Sequence, residues 1–75
     1  MLVIDLKNTG KNIKEKMDHK GVTVKYLATV LGFASPNAVY KWIKGECLPT
    51  LDNLLIVATI LDLKMDDLIV TEKIA

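Results

Sequence analysis

The sequence predicts an all-α protein, a compact single domain of five short helices. Three observations carry that expectation. At 75 residues there is room for one domain and one small core. Capping residues and turn glycines punctuate the chain at short intervals, and between them the apolar residues return at the three- and four-residue spacing of a helix face.

Asp5 is the expected N-cap of the first helix, which places Leu6, Ile13 and Met17 on one stripe. Gly10 lies inside that stretch and costs about 1 kcal/mol relative to alanine, so a start at Asn8 or Thr9 is the alternative. Lys16 and Lys20 suit the carbonyl end, and Gly21 supplies the terminator. Thr23 caps a second helix over 24–31 that buries Leu27, Ala28 and Leu31, and Gly32 closes it. After the turn, Ser35 as N-cap and Pro36 in the first helical position open a third helix, about 35–44, with Val39, Trp42 and Ile43 apolar and Gly45 at its end. Thr50, with Asn53 three residues on, starts a fourth helix over 51–61 with Leu54, Leu55, Val57, Ala58 and Leu61 inward. A fifth, over 65–70, has Asp66 and Asp67 near its positive end, and residues 71–75 are expected to fray unless they dock.

Net charge is only +1, but it is unevenly distributed. Residues 1–44 hold eight lysines against three carboxylates, a balance of +5; residues 45–75 hold two lysines against six carboxylates, a balance of −4. A basic half beside an acidic half points toward a polyanionic partner. Cys47 is the single cysteine, which excludes an internal disulfide and suits a cytoplasmic protein. No apolar run approaches the roughly 18 residues needed to span a bilayer, and Met1-Leu2-Val3-Ile4 is too short for a signal-peptide core.

Two helices of roughly eight residues joined by a glycine turn, set among three others, are the ingredients of a helix-turn-helix unit. Thr23-Val24-Lys25-Tyr26-Leu27-Ala28-Thr29-Val30-Leu31-Gly32, then Ala38-Val39-Tyr40-Lys41-Trp42-Ile43-Lys44-Gly45, then Leu48-Pro49-Thr50-Leu51-Asp52-Asn53-Leu54-Leu55, follow in order. Together they resemble the Cro and repressor-type (XRE) helix-turn-helix family of DNA-binding transcriptional regulators, over about residues 8–70 of a single domain, 1–75.

The resemblance implies a repressor-like five-helix domain that lays its third helix in the major groove of double-stranded DNA. Mapped onto this chain, the base-facing positions are Ser35, Pro36, Asn37, Tyr40 and Lys41. The chemistry of two of them is suitable in itself: an asparagine amide pairs with adenine N6 and N7, and a lysine donates to guanine O6 or N7. Two departures stand out. Twelve residues separate Gly32 from Gly45, one more than the common family spacing, which implies a longer turn at Phe33-Ala34. Where many members place a phosphate-anchoring glutamine at the start of the second helix, this chain has Val24. Phosphate contact is therefore expected from Thr23, Lys25, Lys44, Lys11 and Lys14, with Lys7 and Lys20 as solvated lysines. With no arginine, specificity rests on asparagine, lysine, hydroxyls and DNA shape, and affinity per half-site is expected to be modest.

His19 and Cys47 have no partners in sequence for a metal or redox site, and Trp42 falls on the apolar side of its helix. No nucleophile–base pair or ligand set exists, so neither catalysis nor a cofactor is expected. A homodimer on two half-sites is expected, with the apolar ends Leu2-Val3-Ile4 and Leu68-Ile69-Val70, plus Met65 and Ile74, as candidate interface; the same ends could pair as strands within one subunit. The alternative function is a repressor-fold protein-interaction module, antitoxin-like or anti-repressor, using the acidic half.

Overall fold

Helix starts follow side-chain oxygens that can accept a backbone N–H, and two of them settle the first half of the chain. In a computed structural model, which describes residues 1–74, β1 (Leu2–Ile4) leads into α1 (Leu6–Lys20). The Asp5 carboxylate accepts from the Asn8 backbone N–H at 3.0 Å and from the Asn8 side chain at 2.7 Å, so the helix begins there and not at Asn8 or Thr9. These bonds, the backbone one first, hold the Asp5 carboxyl below its ordinary value of 3.8. In α2 (Val24–Val30) Thr23 Oγ1 accepts from the Tyr26 N–H at 3.1 Å.

Two later starts differ from expectation. In α3 (Asn37–Ile43) the N-cap is Pro36, and Ser35 Oγ accepts only a long 3.4 Å bond from the Asn37 N–H. The connection 31–36 is long because Phe33 folds inward, its ring meeting Trp42 edge-on at 5.8 Å, which delays the helix. In α4 (Leu51–Ile60) the Thr50 hydroxyl donates to the Asp52 carboxylate, so it caps no amide and no capping box with Asn53 forms. In α5 (Met65–Leu68) the Asp67 carboxylate accepts from the Lys64 N–H at 2.9 Å.

The core comprises Ile13 and Met17 of α1, Leu27 and Ala28 of α2, Val39 and Trp42 of α3, Leu54, Val57, Ala58 and Leu61 of the α4 segment, and Leu68 of α5. Leu55 is not among them. The buried α4 stripe runs at i, i+3, i+4 and i+7 from Leu54, and Leu55, about 100° farther round, is 55% exposed. Leu31, expected to be buried, is half-buried.

Gly10 explains itself in this packing. A Cβ there would lie 2.6 Å from the Ile43 carbonyl oxygen and also against that of Trp42, so α1 passes over the end of α3 with no room for a side chain. Gly45 mirrors it: at φ +76° its ideal Cβ would lie 2.7 Å from Lys7 Cα. This paired approach fixes α3 against α1.

The termini correct the purely helical expectation. β1 pairs antiparallel with β2 (Thr71–Lys73), in the register Leu2 to Lys73, Val3 to Glu72 and Ile4 to Thr71. Residues 71–73 therefore dock instead of fraying, and an intrasubunit strand pair does form, but the partner of Leu2-Val3-Ile4 is 71–73 and not Leu68-Ile69-Val70, whose Leu68 ends α5 in the core; Ala75 lies outside the described residues. α1 holds the returning chain. The Thr9 hydroxyl, 1% exposed, donates to the Val70 carbonyl at 3.2 Å and accepts from the Val70 N–H at 2.9 Å, while Asn12 Nδ2 donates to the carbonyls of Asp67 and Leu68. A buried hydroxyl satisfied in both senses carries no desolvation penalty.

Candidate nucleic-acid interface

α3 is seven residues long and two-faced. Val39 and Trp42 are buried and Ala38 and Ile43 half-buried, which pins the back of the helix to α1 and α2. Asn37, Tyr40, Lys41 and Lys44, spaced i, i+3, i+4 and i+7, are all exposed and fall within about 100° of arc. The helix thus offers solvent one narrow stripe: an amide, a phenol and two ammonium groups. Such a stripe supplies amide donors and acceptors, cationic donors and a hydroxyl, the functions that read base edges.

The turn in front of this stripe is built by backbone geometry. Gly32 sits at φ +76°, donating its N–H to the Thr29 carbonyl at 3.1 Å, and the Phe33 N–H reaches the Ala28 carbonyl at 2.9 Å. That is the left-handed helix ending that glycine accommodates without Cβ strain. Ser35 is exposed and Pro36 half-buried, both at the entrance to α3.

Beside the stripe, α2 and the end of α1 form a shallow concavity lined by Lys14, Met17, Asp18, Gly21, Val22, Thr23, Val24, Lys25 and Tyr40. It brings together four residues singled out in sequence: Thr23, Lys25, Tyr40 and Lys14. They are not equivalent. Thr23 spends its hydroxyl oxygen on the Tyr26 N–H, Lys25 is exposed, and Lys14 makes an ion pair with Asp18 one turn on. That exposed i, i+4 pair contributes about 0.3–0.5 kcal/mol to the helix and reduces the free charge Lys14 offers. Lys11 is exposed on α1 and is not part of this concavity, nor are Ser35, Pro36, Asn37, Lys41 and Lys44.

The close approach at Gly45 also places Lys7 beside the end of α3. Spacing along the chain gave no sign of it, because the contact joins residues 38 positions apart; the in-helix glycine at position 10 was its only trace. Tyr26 is a second addition, a phenol 55% exposed on α2. His19 and Cys47 are exposed, and among the described residues no group of histidine, cysteine or carboxylates is arranged to hold a metal. No helix among them is long and apolar enough to cross a membrane.

Comparison with known proteins agrees with this architecture. Residues 13–68 match the family described as Helix-turn-helix. Among solved structures the chain is similar to the restriction-modification controller protein C.AhdI from Aeromonas hydrophila: 30% identity, a TM-score of 0.75, and coverage of 85% of this chain and 96% of that one. A search of curated proteins found no match. The matched segment contains the glycine turn, the buried back of α3 and its exposed polar stripe, and the chain belongs to the helix-turn-helix family of DNA-binding transcriptional regulators.

Proposed function

We propose that this regulator recognises a specific double-stranded operator by placing α3 in the major groove, as a homodimer on two half-sites, without catalysis or cofactor. The observation that carries the proposal is the exposed stripe Asn37, Tyr40, Lys41 and Lys44 over a back anchored by Val39 and Trp42. Asn37 and Lys41 make the base-edge contacts, one to adenine and one to guanine, with Tyr40 at the flank. Ser35 and Pro36 meet the DNA where α3 begins. Lys25 and Lys44 neutralise backbone phosphates on either side, Thr23 and Lys11 contribute at the margin, and Lys14 joins them only by exchanging Asp18 for a phosphate.

Selection of bound sites from random duplexes, followed by a salt titration on the selected duplex, tests this reading. The expected result is a two-fold symmetric motif with half-sites about one helical turn apart, and affinity that falls steeply with salt. Lys41→Glu and Lys25→Glu should each weaken binding at least about tenfold. Absence of binding to any duplex at low salt would sink it.

A further inference from the structure

Opposite in character to the lysine-bearing half is a face with no charge at its centre. Leu48, Pro49, Leu51 and Leu54 meet Ile4 and Ile69 around a hollow of about 200 Å³, all six apolar, and large enough for one leucine side chain. Around the hollow, large apolar residues stand in solvent: Leu51 is 73% exposed, Leu2 68% and Leu55 55%, and Leu48 and Ile4 are also exposed. They form one face. Leu55 is one turn on from Leu51 along α4, Leu2 is two residues from Ile4 on the same side of β1, and Ile4 and Leu51 share the hollow. Directly across the ribbon, Lys73 and Thr71 give the face a polar margin.

We infer that this face is occupied by a second copy of the chain, and that the terminal ribbon is part of the contact. The inference rests on the homodimer reading above and names its surface. Size is the first argument. The five leucines and isoleucines leave on the order of 500 Å² of apolar surface open, at the upper end of what a monomer tolerates. With the roughly two-thirds apolar fraction of homodimer contacts, the footprint becomes about 800 Å² per partner, that of a standard stable interface.

Charge is the second argument. In a two-fold contact the same patch meets itself, so like charges would face each other; the +5 half is unsuited to that, and this face carries none of its lysines. Shape agrees, since one surface offers both a protruding leucine and a hollow to receive its counterpart. Position is the third. Leu48 lies five residues beyond the end of α3, in the connector between α3 and α4, so pairing here ties the two α3 helices of a dimer to one shared interface. The ribbon lies outside residues 13–68, so Leu2 and Ile4 are additions of this chain to the family-matched segment.

Sedimentation velocity of the full chain over about 1–100 μM, with Leu51→Asp and Leu2→Asp, tests it. Both residues are mostly exposed, so neither substitution empties the core, and far-ultraviolet circular dichroism checks the fold. A wild-type dimer whose dissociation constant rises about 100-fold in Leu51→Asp and about tenfold in Leu2→Asp is the expected result. A dimer that both substitutions leave intact overturns this face while the homodimer reading stands. A dimer broken by Leu51→Asp and untouched by Leu2→Asp overturns the ribbon's share. A wild-type monomer throughout the range overturns the face and the homodimer together; duplex binding measured on the same samples reports separately on the α3 interface.

Discussion

Gly10 and Asp62 show opposite relations between a residue and its place. Gly10 looks costly in a helix interior, yet any Cβ would collide with the backbone at the end of α3, so the roughly 1 kcal/mol of propensity it forfeits is the smaller term. Gly10→Ala should destabilise the protein by about 2–3 kcal/mol in urea unfolding, in contrast to the gain the same change brings at an ordinary helix position. Asp62 sits at φ +57°, its N–H reaching the Thr59 carbonyl and the Leu63 N–H that of Ala58, the geometry used at Gly32. An L-residue there is strained, so Asp62→Gly should raise stability by about 0.5 kcal/mol in the same measurement. Neither relation was legible in sequence: Gly10 read as a liability because its partner is far along the chain, and Asp62 falls between two expected helices with no glycine to mark the left-handed turn.

Helix starts at Asp5 and Thr23 were readable because each rests on a side chain and an amide three residues apart. The start of α3 was not, since it depends on Phe33 turning inward to Trp42, a tertiary contact. The same holds for Leu55, which only the final placement of the α4 stripe turns outward, and for strands of three residues, too short to show alternation. Caps also predict a pH response. Asp5 is held below 3.8 by the Asn8 amide and side chain, and Asp52 by the Thr50 hydroxyl and the Asn53 N–H. A lowered folded-state value means the unfolded chain binds protons more readily, so this stabilisation is complete above the ordinary value and is lost as pH falls through the lowered one. Thermal midpoints should therefore drop on acidification below about pH 4, and Asp5→Asn, which keeps a capping oxygen without the charge, should flatten that limb. At the returning strand, Thr9→Val removes both hydroxyl bonds to Val70 and leaves its N–H unpaired, while its carbonyl still accepts from the Asp5 N–H at 2.8 Å, a loss of about 1–2 kcal/mol with faster hydrogen exchange at Val70.

For the whole molecule, a net charge of +1 conceals a basic half that carries α2 and α3 and an acidic half that carries α4 and α5. The low total limits non-specific attraction while leaving a local positive field. Asn37, Tyr40 and Lys41 were legible as one outer stripe because the family resemblance placed them opposite Val39 and Trp42, the apolar positions that the structure buries. What was not legible was how the lysines are placed: Lys14 is tied to Asp18, and Lys7 arrives beside the end of α3 only through the crossing at Gly45. The central claim is that α3 reads base edges. It is tested by comparing the affinity of the selected duplex with that of a scrambled one at about 150 mM salt, for the wild type and for Asn37→Ala/Lys41→Ala. A wild-type preference of about 10³ or more that collapses in the double variant is expected, while binding to the scrambled duplex falls only about tenfold. A double variant that keeps the full preference would contradict it.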